Sequence, residues 1–125
     1  MTSPMSTILI VDDDDAIRGT LYDLLSDRYK CHTASRAEEA LQYLEVENYD
    51  AVLTDISMPG LTGIELLHRV QQGNSGTPVI LISGKGSEQD NEALIRMGAF
   101  AYVTKPFNLD QIELIVERAV AQKAS

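Results

Sequence analysis

The stretch Thr7-Ile8-Leu9-Ile10-Val11-Asp12-Asp13-Asp14-Asp15 is a run of β-prone residues closed by four carboxylates. A short apolar run ending in polar residues reads as a buried strand. Directly beyond it, Ile17, Leu21, Leu24 and Leu25 recur at i, i+4, i+7 and i+8, which gives one apolar helix face, with Asp14 or Asp15 as its cap. Strand, acidic turn and helix form the first unit, and the rest of the chain repeats the pattern.

A second strand at Cys31–Ala34 precedes a helix opening near Ser35, with Ala37, Ala40, Leu41 and Leu44 on one face and Glu38, Glu39 and Gln42 outward. Ser35 and Glu38 have the spacing of a capping box. Ala51–Thr54 is a third strand. The loop Met58-Pro59-Gly60-Leu61-Thr62-Gly63 then leads to a helix over Ile64–Gln72, which Gly73-Asn74-Ser75-Gly76 ends. Pro78 opens a fourth strand, Val79–Ile82, and a glycine-containing loop, Ser83–Ser87, follows. A fourth helix over Glu88–Met97 stops at Gly98, and a fifth strand, Ala101–Thr104, runs into Lys105-Pro106. Leu109, Ile112, Val116 and Ala119 put a last helix on the core, and Gln122–Ser125 reads as a fraying tail. Strands alternating with helices predict an α/β fold with a parallel sheet of five strands and five helices.

With 125 residues, the chain has the size of one domain. Residues 1–6 read as a loose tail, 7–122 as the domain and 123–125 as a second tail; no linker or repeat divides them. Hydrophobic residues at 44% and charged residues at 23% argue against disorder. A net charge of −9 disfavours a surface that binds phosphate backbones, so nucleic acid is not an expected direct ligand. The apolar runs fall far short of the roughly 20 residues that span a bilayer, and Met1–Thr7 lacks the marks of a secretory signal. A cytoplasmic location is the expectation, in keeping with a lone Cys31 that has no internal disulfide partner.

In a parallel α/β sheet, ligands bind beyond the carboxyl ends of the strands. The first strand ends in Asp12-Asp13-Asp14-Asp15, the third in Asp55, the fourth in Ser83 and the fifth in Thr104-Lys105-Pro106. Carboxylates gathered at one edge repel one another and call for a cation. Oxygen ligands without thiol or imidazole select a hard ion, and Mg²⁺ suits a site that leaves room for water and phosphate oxygens. A carboxylate beside Mg²⁺ and Lys105 is placed to attack a phosphoryl group. First-turn capping alone accounts for Asp14 and Asp15 but does not require Asp55 and Lys105 on two other strand ends.

Ile8-Leu9-Ile10-Val11-Asp12-Asp13-Asp14, Leu53-Thr54-Asp55-Ile56-Ser57-Met58-Pro59-Gly60, Ile82-Ser83-Gly84 and Ala101-Tyr102-Val103-Thr104-Lys105-Pro106-Phe107 resemble the receiver domain of bacterial two-component response regulators, over Thr7 to about Val120. The resemblance implies a flavodoxin-like, doubly wound sheet of strand order 2-1-3-4-5, an order for which the chemotaxis receiver is a standard example. It implies a phosphorelay signal transduction switch that takes a phosphoryl group from a histidine kinase or histidine phosphotransfer protein. Asp55 would be the phosphoacceptor, Asp13 a direct Mg²⁺ ligand, Asp12 a ligand partly through water, and the Ser57 carbonyl another. Lys105, before a cis Lys105-Pro106 peptide, would bind a phosphoryl oxygen. Ser83 would hydrogen-bond the phosphoryl group, and Tyr102 would turn into the space Ser83 leaves. Ser57 and Lys85, flanking the route of attacking water, would set the phosphate lifetime.

The same resemblance implies that the surface of fourth helix, fifth strand and fifth helix changes for recognition by a downstream effector or output domain, with a homodimer through that face possible. Such a protein catalyses only its own phosphorylation and autodephosphorylation. The chain reads either as a stand-alone receiver or as part of a larger regulator or hybrid kinase.

Three other classes compete. Asp12-Asp13-Asp14 fits the Asp-x-Asp start of haloacid-dehalogenase-type phosphatases, but the Thr or Val expected afterwards is missing and no cap domain is evident. A flavin-binding, flavodoxin-like protein would need amides and hydroxyls where the first strand is followed by acids. A phosphorylation-independent interaction domain is the third. His32 and His68, without acidic or thiol partners at ligand spacing, read as ordinary surface or strand residues. Leu114, Ile115 and Val120 exceed one core face, so the last helix either meets a partner or carries a wider core stripe.

Overall fold

Five runs of apolar and β-branched residues form the strands β1 (Thr7–Val11), β2 (Lys30–Ala34), β3 (Ala51–Asp55), β4 (Val79–Ser83) and β5 (Ala101–Thr104). Between and after them lie α1 (Asp15–Leu25), α2 (Ala37–Val46), α3 (Gly63–Gln72), α4 (Asn91–Arg96) and α5 (Leu109–Ala124). The computed structural model describes residues 5–73, 76–84 and 91–124. All strand pairs are parallel, in the order β2-β1-β3-β4-β5. The α/β class, the strand order and the five-plus-five element count agree with expectation.

Strand residues alternate between two faces, and each face carries its own core. Ile8, Ile10, Leu53, Ile80, Ile82 and Val103 meet Leu21 and Leu25 of α1 and Ile112, Val116 and Ala119 of α5. Leu9, Val11, Val52, Val79 and Leu81 meet Ala37 and Ala40 of α2, Leu66, Leu67 and Val70 of α3, and Leu94 of α4. Burying one such aliphatic side chain completely contributes about 1.5–3 kcal/mol. The handedness of the crossovers explains the partition. From β1 the chain steps one way to β2, then returns past β1 to β3 and continues to β5, so right-handed connections place α1 on one face and α2, α3 and α4 on the other. Neighbouring connections therefore diverge at the carboxyl ends of β1 and β3.

At the helix ends tertiary packing chooses between competing local signals. Asp14, rather than Asp15, caps α1: its carboxylate accepts from the Ala16 and Ile17 amides at 2.9 and 3.2 Å. The capping box from Ser35 to Glu38 does not form. Arg36 is the N-cap of α2, so Glu39 occupies the third helical position, and its Oε1 accepts from the Ser35 amide at 2.8 Å. Burial of Ala37 at the first helical position sets that register. α3 begins one residue early, at Gly63, capped by Thr62 Oγ1, which accepts from the Glu65 amide at 3.2 Å. α5 includes Gln122 and Lys123, where the sequence predicts a fraying tail, because the Val116 and Ala119 anchors carry its register outward. The predicted start of the fourth helix at Glu88 lies outside the described residues.

Ile115 and Val120 pack against the α5 core, so the wider stripe accounts for them, whereas Leu114 stays 47% exposed. His32 is not partnerless: tertiary structure brings its Nδ1 within 2.7 Å of the Tyr49 hydroxyl and 3.3 Å of Glu47 Oε2. His68 is exposed, as expected. No described helix is long and apolar enough to cross a membrane.

Candidate functional site

The pairing of Val11 with Thr54 brings the ends of β1 and β3 level, so Asp12 and Asp13 emerge beside Asp55. One carboxylate oxygen from each of the three lies within 4.8 Å of the others. Asp12 is fully buried and Asp55 is 4% exposed, while Asp13 faces solvent. Lys105 enters from the end of β5. Its amide donates to the Ser83 carbonyl at 2.8 Å, and its Nζ stands 3.4 Å from Asp55 Oδ2 and 3.6 Å from Asp12 Oδ2. The Lys105-Pro106 peptide is cis.

Two carboxylates this close to each other out of water are held above their usual range. For Asp12 burial is the main cause, opposed by the Asp14 amide and Lys105 and reinforced by Asp13 and Asp14. For Asp55 burial again leads, followed by the Asp12 charge, with Lys105 pulling the other way. One ammonium does not satisfy the cluster. Asp12 Oδ1 accepts from the Asp14 amide at 2.9 Å, but Asp12 Oδ2, buried, has no hydrogen-bond partner among the described residues. A buried oxygen left over in an all-oxygen donor set is what a hard divalent ion would take up. The residues present fit Mg²⁺.

Ser83 is buried at the end of β4, next to Lys105. Tyr102, on β5, is half-buried and packs toward the core shared by α2, α3 and α4. Ser57 is exposed in the loop beyond Asp55. The structure thus gathers Asp12, Asp13, Asp55, Ser83 and Lys105 at one end of the sheet, while Lys85 lies outside the described residues.

Two contributors were missed in the sequence. Arg18 Nη1 donates to the Asp12 carbonyl at 2.7 Å, and Nη2 pairs with Asp15 Oδ1. An arginine three residues after the last of the four acids, on the same helix, was the available signal. Gly63 packs directly against the Asp55 carbonyl, as its place at the head of α3 requires.

The model of the response regulator receiver domain matches residues 8–117. The chain belongs to the response regulator receiver domain family. It is 38% identical over 117 residues to the regulatory protein AtoC of Escherichia coli, a match that covers 93% of this chain and 25% of that protein. It is 37% identical over 116 residues to the nitrogen assimilation regulatory protein NtrX of Azorhizobium caulinodans, covering 90% of this chain and 26% of that one. The receiver domain of the Francisella response regulator 1452 superposes with a TM-score of 0.86 at 30% identity, covering 94% of this chain and 98% of that chain. The chain spans about a quarter of the length of the two regulators it matches.

Receiver domains are phosphorelay switches rather than turnover enzymes, and they work with histidine kinases and effector or output domains. They bind Mg²⁺ at an acidic pocket, which corresponds here to the cluster of Asp12, Asp13 and Asp55. The phosphatase alternative is not favoured.

Proposed function

We propose that this receiver, the unit from β1 to the end of α5, accepts a phosphoryl group on Asp55 from a phosphohistidine of a kinase or phosphotransfer protein. The observation that carries the reading is the Asp55 carboxylate, 4% exposed, facing Lys105 Nζ at 3.4 Å within a three-carboxylate cluster. One Asp55 oxygen forms the new bond to phosphorus as the bond from phosphorus to the histidine nitrogen breaks, and the imidazole leaves with the electron pair. Lys105 moves from its carboxylate partners to a phosphoryl oxygen, and its charge offsets what builds up there. Asp12, Asp13, Asp55 and the Ser57 carbonyl would hold Mg²⁺, which when bound neutralises charge on the transferring oxygens. Ser83 donates its hydroxyl to the phosphoryl group, and Tyr102 follows it inward, which links the site to the surface of α4, β5 and α5. That surface is where an effector, an output domain or a second copy would bind. Ser57 and Lys85 set how fast water reaches the phosphoaspartate.

Intact mass after incubation with Mg²⁺ and acetyl phosphate tests the reading. One phosphoryl adduct is expected, not formed when Mg²⁺ is chelated before the donor is added and absent in Asp55→Asn. An adduct that persists in Asp55→Asn would assign the acceptor elsewhere. If a phosphohistidine donor and acetyl phosphate both leave the mass unchanged, the domain acts without phosphorylation.

A further inference from the structure

The acidic turn between β1 and α1 presents Asp12 and Asp13, yet no described residue hydrogen-bonds the Asp13 carboxylate, which faces solvent. Its position depends on the backbone of the turn. Besides the helix cap, three contacts among the described residues hold that backbone: the Asp12 amide, which donates to the Ala34 carbonyl at 3.1 Å, the Asp14 amide on Asp12 Oδ1, and the Arg18 guanidinium, the one side chain that reaches the turn from α1. Arg18 is anchored in the first turn of α1 by its own amide, which donates to the Asp14 carbonyl at 2.9 Å. From there its side chain, 21% exposed, folds back over the turn. One nitrogen takes the Asp12 carbonyl at 2.7 Å and the other the Asp15 carboxylate, so a single planar group ties both ends of the four-acid run.

We propose that Arg18 is a positioning residue for the divalent cation: it presets the turn so that the Asp12 and Asp13 oxygens stand where the ion needs them, without touching the ion or the phosphoryl group. This inference rests on the reading of the acidic cluster as a Mg²⁺ site. A guanidinium suits the task because its rigid fork reaches two acceptors at once, which the compact point charge of an ammonium does not. The geometry also fixes the sign of the effect. As a charge alone, Arg18 repels a cation, so its removal would tighten binding. As a strap, it lowers the cost of organising the ligands, so its removal weakens binding.

Amide NMR titrations of the metal-free chain with Mg²⁺ and with Ca²⁺ separate the two, using Arg18→Lys, which keeps the charge and loses the fork, and Arg18→Met, which loses both. Both variants are expected to weaken Mg²⁺ binding about tenfold, the low end for loss of an outer-shell hydrogen bond. Ca²⁺, which tolerates irregular ligand geometry, should lose less than Mg²⁺. Unchanged Mg²⁺ affinity in Arg18→Lys, tighter binding in Arg18→Met, or equal losses for both ions would overturn the proposal. If the parent shows no Mg²⁺-dependent shifts, the Mg²⁺ reading itself fails and takes this inference with it. Should Arg18→Met not fold, Arg18→Lys decides alone.

Discussion

Gly63 sits so close to Asp55 that a Cβ added to it would lie 2.3 Å from the Asp55 carbonyl oxygen and 2.9 Å from the Ile56 Cα. The approach is held by the Gly63 amide, which donates to the Ile56 carbonyl at 2.9 Å. Both obstacles are backbone, so neither can rotate away. Gly63→Ala is expected to cost about 2 kcal/mol as the head of α3 is forced off the end of β3. Urea unfolding of the two proteins measures it, and a loss below about 0.5 kcal/mol would show that the α3 junction yields more readily than the packing implies.

The acidic cluster should trade stability against ion binding. In Asp12→Asn one member of a buried like-charge pair becomes neutral while the acceptor for the Asp14 amide is kept. The metal-free variant is expected to melt about 3–5 °C above the parent at neutral pH, since relief of the buried charge and of its repulsion with Asp55 outweighs the lost Lys105 attraction by about 1 kcal/mol. Since folding raises the Asp12 and Asp55 pKa values, the folded state holds their protons more tightly than the unfolded chain does. Their contribution is therefore fully favourable below the unfolded carboxylate range and is lost as pH rises through the folded values. The advantage of Asp12→Asn should shrink toward pH 4. Melting curves in chelator at several pH values check this, and a variant less stable than the parent at pH 7 would contradict it.

Cys31 lies half-buried on β2, and burial pushes its thiol up to about 11. At pH 8 its thiolate fraction is then about 100-fold below that of a thiol of pKa 9, and alkylation should slow in proportion. The folded protein is expected to react with iodoacetamide about 100 times more slowly than the urea-unfolded chain. Because the fold retains this proton, the thiol's contribution to stability is complete below pH 9 and falls away as pH rises toward 11. Comparable labelling rates in the folded and unfolded states would refute the burial argument.

At the far end of α4, Gln71 of α3 donates to the Met97 carbonyl at 2.8 Å and lies over Gly98, whose φ of 108° suits only glycine. An added Cβ would meet Gln71 Nε2 at 1.7 Å, so Gly98→Ala pays for the backbone and also displaces the amide. About 2 kcal/mol is expected in the parent and about 1 kcal/mol in a Gln71→Ala background, where only the backbone term remains. A double-mutant cycle measures the coupling, and equal costs in the two backgrounds would mean that Gln71 swings aside without loss.

The fold was legible in the sequence because its signals are local and periodic. The five apolar runs, the helix faces through Leu21 and Leu25 or Ile112 and Val116, and Gly98 as a stop each follow from side-chain spacing and backbone sterics within a few residues. The acids and Lys105 could be singled out because polar residues at strand ends interrupt that pattern. The local rules failed where two near-equivalent choices compete. Ser35 with Glu38 and Arg36 with Glu39 are both one residue from a helix start, and burial of Ala37 on the sheet decided between them.

The set of elements and the residue types at their ends depend on interactions between chain neighbours, so both are written along the chain. Which ends meet depends on packing. The register of β1 against β3 put Asp12 beside Asp55, the end of β5 brought Lys105 Nζ to both, and the same packing left Asp12 Oδ2 buried without a hydrogen-bond partner among the described residues. Distances between groups far apart in the chain, such as Asp55 and Lys105, 50 positions apart, or His32 and Tyr49, 17 apart, follow from how strands and helices pack. Spacing along the chain carries no record of that geometry.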